Sequence, residues 1–189
     1  FLEGEEVSFI AMVDGPNIMP LATSQDHKAI RDGDIGLNTG GMGAYSPAPF
    51  INEELNQKIM DQVILPTVAG MINEGVPYRG FLYAGLMISK HNELKVLEYN
   101  CRFGDPETQP IMMRLTSDLF EMIESCFDGT IASYPIEWDQ RPALGVIMAS
   151  SGYPESYATG FRINGIDEMD LFNPDIKIFH SGTTIDNNQ

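Results

Sequence analysis

Two apolar runs joined by a short polar turn constrain the fold of this chain most strongly. Residues 80–89 read GFLYAGLMIS, residues 94–100 read LKVLEYN, and KHNE lies between them. Runs of this length and composition, separated by a polar turn, predict the two antiparallel strands of a buried hairpin. Strand side chains alternate between the two faces of a sheet. The residues expected to share one face of the second strand are Leu94, Val96, Glu98 and Asn100.

Other segments predict a second hairpin and two helices, so the chain reads as an α+β protein. A β-rich run from Glu6 to Val13 and a second run from Ile18 to Ala22 flank the turn sequence DGPN. Asn52 is a good N-cap for a long helix that ends at Gly75 and bends at Pro66. Ser117 and Asp118 are expected to cap a helix that ends at Gly129.

Residues 24–49 contain five glycines and almost no hydrophobic periodicity. An irregular segment this long is uncommon in a compact domain unless it binds a ligand. We therefore expect a binding loop there.

A domain boundary is expected near Trp138. The segment SYPIEWDQRP carries two prolines and no clear period, and it reads as a linker. Beyond it, ALGVIMAS and IKIFHSG each predict a strand of a second domain. The chain begins at Phe1 inside a strand approach and stops soon after a predicted strand, so we expect it to be a piece of a longer protein.

The charge of the chain limits the classes of partner that it is expected to bind. Its 189 residues carry a formal net charge of -16 with only 11 Lys and Arg. Nucleic acids and anionic membranes recruit clustered Lys and Arg, so neither is an expected partner. No run of about twenty apolar residues reads as a membrane span, and a cytoplasmic location is expected.

Glu98 and Asn100 form a polar pair on an otherwise apolar strand, about 7 Å apart along it. A carboxylate and an amide oxygen suit magnesium, held jointly with phosphate oxygens. A salt bridge from Glu98 to Arg102 is an equally good explanation on spacing alone, because buried carboxylates require a cation.

The residues that follow this strand favour a phosphate site. Arg102 offers a planar fork for a phosphate or carboxylate, and Gly104 permits close approach of a ligand to the backbone. Asp105 and Glu107 lie in or beside the next turn. Together these residues predict a site for a metal, a phosphate and an organic acid.

At this point the sequence resembles a known family. RFGDPETQ, from Arg102 to Gln109, is similar to the signature of the glycinamide ribonucleotide synthetases, which are also called phosphoribosylamine–glycine ligases and belong to the ATP-grasp superfamily. Further matching segments occur in the family's order: FLEGEEVSF, ATSQDHK, NTGGMGAYSPAP and GFLYAGLM. The resemblance extends through GVIMASSGYP toward FHSGT and covers essentially the whole chain.

The resemblance implies a fold and a reaction. The fold would be the C-terminal half of an ATP-grasp domain, with an antiparallel sheet and packed helices, over residues 1–137. Residues 138–189 would begin a small C-terminal α/β domain. In the reaction, ATP and Mg²⁺ or Mn²⁺ convert glycine to glycyl phosphate. The amine of 5-phosphoribosylamine then attacks it to give glycinamide ribonucleotide, ADP and phosphate.

The resemblance also implies site residues. Glu98 and Asn100 would bind the metal, Leu2 would line the adenine and Glu6 would bind the ribose of ATP. Arg102, Asp105 and Lys28 are the implied catalytic residues. The implied substrate-binding residues are Asp26, His27, Asn38, Thr39, Gly40, Gly41, Met42 and Gly43.

Several limits follow from the same resemblance. The family's N-terminal domain, its mobile ATP subdomain and most of its C-terminal domain precede or follow this segment, so the fragment alone is expected to be nearly inactive. The expected partners are small molecules, and a monomer is favoured. Two alternatives stay open: another ATP-grasp ligase that uses a different acid, and a module that binds nucleotide without turnover.

Overall fold

The computed structural model describes residues 2–166 and 173–185, and within them the backbone forms nine strands. In chain order these are β1 (Glu5–Asp14), β2 (Ile18–Pro20), β3 (Gln25–Asp26), β4 (Ala29–Arg31), β5 (Ile35–Asn38), β6 (Gly43–Ser46), β7 (Arg79–Ile88), β8 (Leu94–Asn100) and β9 (Ala143–Val146). The helices are α1 (Glu53–Ile59), α2 (Leu65–Asn73), α3 (Thr108–Arg114) and α4 (Leu119–Phe127). A π-helical turn, Met60–Ile64, joins α1 to α2, and Ile131–Ser133 forms a 3-10 turn.

The central sheet has the strand order β2-β1-β7-β8, and every neighbouring pair is antiparallel. Both predicted hairpins are confirmed: β1 pairs with β2 across DGPN, and β7 pairs with β8 across KHNE. Between the hairpins, β1 and β7 pair along their full lengths, from Glu5 opposite Ile88 to Asp14 opposite Arg79. The antiparallel sheet with packed helices confirms the predicted α+β class.

One face of the sheet is covered by the long helical segment from α1 to α2. Asn52 is its N-cap, as predicted, and its side chain accepts a hydrogen bond from the Leu55 backbone N–H at 2.8 Å. The segment departs from regular α-helix in the π-helical turn just before Pro66, whose ring nitrogen has no hydrogen to donate. Ile59 and Ile64 are fully buried against this face of the sheet.

The opposite face is covered by α3 and α4. Asp118 caps α4 as predicted, accepting from the Phe120 N–H at 2.7 Å. Ile111 and Met122 pack with Ile10 and Met12 of β1. The sheet therefore lies between two helical layers, which is why β1 is buried on both faces.

The expected alternation along β8 is wrong, because the strand contains a bulge. Gly85 pairs with Glu98 but Leu86 pairs with Val96, which leaves Leu97 as an extra residue. Glu98 and Asn100 therefore share one face, while Val96 lies on the other. The strand is also largely exposed rather than buried, since β8 is the edge of the central sheet.

The glycine-rich segment is more ordered than expected. Residues 24–49 contain four short strands, and two small sheets, β3-β6-β9 and β4-β5, use them. Strands of two to four residues carry too little alternation to be recognised in a sequence. The backbone pairing that defines them depends on partners elsewhere in the chain.

The chain divides into two compact units, Phe1–Met148 and Ala149–Gln189. The first unit extends beyond the position expected from the sequence because β9 pairs with β6. In the second unit, the described residues contain no strand, so the strand predicted for IKIFHSG is not found. Within the residues described, no helix is both long enough and apolar enough to cross a membrane.

Candidate active site

One face of the central sheet becomes polar toward the start of β1. Glu6 lies opposite Met87, and Ser8 lies opposite Gly85, which in turn pairs with Glu98. The strand register therefore places Glu6, Ser8 and Glu98 on a single face. This polar patch continues the face that packs against α3 and α4.

The predicted metal pair occupies the edge of this face. Glu98 is exposed and Asn100 is partly buried. The Glu98 side chain crosses over Gly85, where an added Cβ would lie 3.2 Å from Glu98 Cγ. Among the described residues no ion pair joins Glu98 to Arg102, so the salt bridge considered from spacing is absent.

The pair suits a metal that is also held by a ligand. No group of three or more His, Cys, Asp or Glu side chains in the described part of the chain is arranged to hold a metal ion. A carboxylate and an amide on one exposed sheet edge instead offer two hard oxygen ligands. That donor set fits magnesium whose remaining ligands are phosphate oxygens and water.

Lys28 connects the ATSQDHK segment to the sheet through two acids. Its Nζ donates to Glu6 Oε1 and lies 3.9 Å from Asp26 Oδ2. Burial alone would lower the Lys28 pKa, but the hydrogen bond to Glu6 and the charges of Asp26, Glu6 and Glu98 raise it overall. Lys28 is therefore a fixed cation on the polar face.

Glu107 is buried beneath the site. Its Oε1 accepts hydrogen bonds from Ser8 Oγ at 2.6 Å and from Tyr83 Oη at 3.0 Å. Gly104 makes room for it, since an added Cβ would lie 2.4 Å from Glu107 Oε2. The close approach expected at Gly104 is thus made by the Glu107 carboxylate. The side chain of Glu107 makes no capping bond to α3.

Asp26 is the acid of the site whose pKa is shifted most. Its side chain is only 2% exposed, and Oδ1 has no hydrogen-bond partner among the described residues. Burial, followed by the charge of Glu107, raises its pKa to about 6 from 3.8, although Lys28 acts in the opposite direction. The charged form of Asp26 is therefore less favourable in the folded protein than in the unfolded chain, although a pKa of about 6 leaves most of Asp26 ionised at pH 7.

Asp26→Asn is expected to increase the free energy of unfolding at pH 7 by about 1–3 kcal/mol. Since the Asp26 pKa is higher in the folded state, wild-type stability from this group is greatest below pH 3.8 and is lost as the pH rises through about 6. The stability of the Asn variant relative to wild type should therefore increase as the pH rises from 3.8 through about 6. Urea denaturation at pH 4 and pH 7 tests it; an advantage that is larger at pH 4 contradicts the assigned burial.

The predicted substrate loop contacts the segment that contains Asp26, His27 and Lys28. The Thr39 backbone N–H donates to Lys28 O at 2.7 Å, and the Met42 N–H donates to His27 O at 2.7 Å. The Gly41 N–H donates to Thr39 Oγ1 at 3.0 Å. These three amides are engaged within the protein, so their contact with an anion stays a prediction.

Gly41 joins this loop to the segment after β8. Its φ is +126°, and an added Cβ would lie 2.3 Å from Pro106 Cδ. Only glycine satisfies both conditions without displacement of the backbone. Of the remaining loop residues, Asn38 ends β5, Gly40 is exposed and Gly43 begins β6.

The other predicted residues lie around this centre. Leu2 is 44% exposed and lines a cleft with Met87, Ser89 and Lys95. His27 packs against Tyr45 with ring centroids 5.4 Å apart. Arg102 is exposed and donates to the Phe103 carbonyl at 2.8 Å. Asp105 is also exposed.

Sequence reasoning missed most of the buried network beneath the site. The pattern indicates only strand residues at Ser8 and Tyr83, and it places Glu107 only in or beside the turn that follows β8. The available signal was weak: Ser8 interrupts an apolar run two residues after Glu6, on the same face.

Comparison with known proteins places this geometry in a family. Residues 1–108 match the family model described as phosphoribosylglycinamide synthetase, ATP-grasp (A) domain. The chain belongs to this family. Its similarity to curated phosphoribosylamine–glycine ligases extends further: 55% identity over 98% of the chain for Xylella fastidiosa and 56% over 100% for Yersinia pestis.

A solved structure agrees with this assignment. The crystal structure of phosphoribosylamine–glycine ligase from Thermotoga maritima superposes with a TM-score of 0.73 at 36% identity, covering 84% of this chain and 39% of that one. The ATP-grasp fold predicted from the sequence is confirmed. The chain spans 43% and 44% of the lengths of the two curated relatives.

Proposed function

We propose that the full-length protein containing this chain ligates glycine to 5-phosphoribosylamine. ATP first phosphorylates the glycine carboxylate. The amine then attacks the resulting glycyl phosphate, and the products are glycinamide ribonucleotide, ADP and phosphate. This reaction is a step of purine synthesis.

The observation that carries the proposal is similarity over nearly the whole chain to phosphoribosylamine–glycine ligases. The geometry of the site supports the same proposal independently of this similarity. Acyl-phosphate chemistry requires cations and a metal arranged around several phosphate charges. The polar face groups Lys28 with Glu6 and aligns Glu98 with Asn100 on β8.

Glu98 and Asn100 are the residues that would hold magnesium or manganese. A divalent metal held by Glu98 and Asn100 would supply charge neutralisation for phosphate oxygens at this edge. The protein contribution is positional: β7 and β8 keep the two side chains on one face, and Gly85 leaves space for Glu98.

The remaining residues bind and orient the small molecules. Leu2 lines the cleft proposed for adenine, and Glu6 is proposed to accept from the ribose, exchanging its contact with Lys28. Arg102 is assigned to the acyl phosphate or substrate carboxylate, with Lys28 and Asp105 beside it. The proposed substrate contacts are Asp26, His27, Asn38, Thr39, Gly40, Gly41, Met42 and Gly43.

We expect the segment from Phe1 to Gln189 alone to have little activity, because it spans less than half of the length of its curated relatives. The small-molecule partners, the monomeric state and the cytoplasmic location stay predictions. Equal turnover by this segment and by the full-length protein would contradict the expected inactivity.

Glu98→Ala in the full-length protein is expected to reduce ADP release by roughly 100-fold or more, because the metal loses its only carboxylate ligand from β8. The assay supplies Mg-ATP, glycine and 5-phosphoribosylamine made in situ. Glu54→Ala is the matched control, since Glu54 is an exposed acid on α1.

Release that requires both substrates and is lost only in Glu98→Ala supports the ligase and the metal role together. Release that depends on a different acid would identify another ATP-grasp ligase. Metal-dependent ADP binding without ADP formation would instead identify a non-catalytic nucleotide-binding module.

A further inference from the structure

Two carboxylate oxygens are buried beside the site without hydrogen-bond partners among the described residues. They are Asp26 Oδ1 and Glu107 Oε2. A buried, unpaired carboxylate oxygen is costly unless a proton or a cation satisfies it. Each of these two oxygens therefore needs a proton or a cation to satisfy it.

Glu107 is held too firmly to turn its free oxygen elsewhere. Ser8 and Tyr83 both donate to Oε1, and all three side chains are buried. The Cα of Gly104 closes over the carboxylate, leaving no space for even a methyl group. Oε2 is consequently fixed in place within the protein.

Asp26 belongs to the same electrostatic cluster. The groups that act on its charge are Glu107 before α3, Lys28 in its own loop and Glu6 on β1. Tyr83 on β7 is influenced by both Glu107 and Asp26.

The other nearby titratable groups have different partners. On β6, Tyr45 donates to Gln25 rather than to Asp26. His27 is the neighbour of Asp26 in sequence, but its ring contacts Tyr45 and Asp34. The side chains that influence the pKa of Asp26 are therefore the acids Glu107 and Glu6 and the cation Lys28.

Amide formation from an acyl phosphate releases a proton. The amine nitrogen forms a bond to the carbonyl carbon, the carbon–oxygen bond to phosphate breaks, and its electron pair leaves with the phosphate. The nitrogen must lose one proton for a neutral amide to form. A carboxylate beside the acceptor can take that proton directly.

We propose that Asp26 accepts the proton lost by the acceptor amine as it attacks the acyl phosphate, and that the buried negative charge of Glu107 makes Asp26 a stronger base. The inference rests on the proposed ligase function. Once transferred, the proton satisfies the buried Asp26 Oδ1, and the charge of Glu107 favours its retention there. It returns to solvent after the phosphate departs.

The other acids of the site are less suitable. Asp105 is exposed to solvent, and Glu98 is assigned to the metal. Asp26 is the acid that is buried, close to the cation Lys28 and left with a free oxygen. Its pKa of about 6 also matches a base that works near neutral pH.

The two half-reactions separate this role from substrate activation. Full-length wild type, Asp26→Asn and Glu107→Gln are given Mg-ATP and glycine, and glycyl phosphate is trapped with hydroxylamine. Parallel reactions contain 5-phosphoribosylamine, and glycinamide ribonucleotide is measured from pH 5 to 8. Asp61→Asn is the control, an exposed acid of the π-helical turn between α1 and α2.

Asp26→Asn should form hydroxamate at a rate close to wild type but lose roughly 10²–10⁴-fold in the amine-dependent step. In wild type the rate of that step should fall below about pH 6 as Asp26 is protonated. Glu107→Gln should move this fall to lower pH, because removing a negative charge lowers the Asp26 pKa. Asp61→Asn should match wild type in both assays.

An Asp26→Asn variant with unchanged ribonucleotide formation overturns the proposal. An equal loss of both half-reactions also overturns it, since Asp26 would then act in activation or folding. An unchanged pH profile in Glu107→Gln removes the role given to Glu107. If wild type forms neither hydroxamate nor glycinamide ribonucleotide, the proposed ligase function itself fails, and the base assignment fails with it.

Discussion

Phe9→Ala is expected to lower the free energy of unfolding by about 3–5 kcal/mol. Phe9 is fully buried in the middle of β1, opposite Ala84 of β7. Its ring lies in the core cluster that the α1–α2 segment covers, together with Ile59 and Val63. These neighbours belong to separate layers held by their own backbone bonds, so they cannot collapse into the cavity left by the ring.

Urea denaturation of the variant measures this loss. Phe120→Ala is the matched control, because Phe120 makes the same change of side chain on α4 while being 67% exposed. The control should differ from wild type by no more than about 0.5 kcal/mol. A cost below about 1 kcal/mol for Phe9→Ala would show that this face of the sheet is loosely packed.

Gly41→Ala is expected to lower the free energy of unfolding by about 2–4 kcal/mol and to impair activity. The methyl group meets Pro106 Cδ at 2.3 Å, in a backbone conformation with a φ of +126°. To relieve the overlap, the loop must move away from the segment that carries Asp105 and Glu107. Both the predicted substrate loop and the buried acid network would therefore shift.

Gly33→Ala separates the cost of the positive φ from the cost of the steric overlap with Pro106. Gly33 also has a positive φ, +75°, but an added Cβ would find only Ile35 Cδ1 at 3.9 Å. It should show the backbone cost of about 1–2 kcal/mol without the steric one. Urea denaturation and ADP release by the full-length variants provide the measurements. Equal effects at the two positions would mean that the Pro106 contact is unimportant.

Local sequence patterns predicted the hairpins and helix caps, which are formed by residues close together in the chain. The two hairpins follow from apolar runs around DGPN and KHNE, and the N-caps Asn52 and Asp118 bond to their own helices. Each of these features depends on residues a few positions apart. Prediction was less successful where backbone pairing decided the structure, as in the short strands β3 to β6.

The residues of the candidate site also divide into those predicted from nearby sequence and those that only the fold brings together. Glu98 and Asn100 are two residues apart, so alternation places them on one face despite the bulge at Leu97. Arg102 and Asp105 were recognised within one short motif. Ser8, Tyr83 and Glu107 come from three distant segments, and no spacing in the sequence indicates that their side chains meet.

By itself, the sequence determined the α+β class, the two hairpins, the helix caps and the family to which the chain belongs. These depend on short-range pattern and on motifs that stay recognisable along the chain. Only the tertiary structure decided that Glu107 is buried with hydrogen bonds from Ser8 and Tyr83, and that Asp26 is buried with an oxygen that has no partner among the described residues. Burial and electrostatic coupling depend on which surfaces meet in three dimensions, and packing sets the pKa of Asp26.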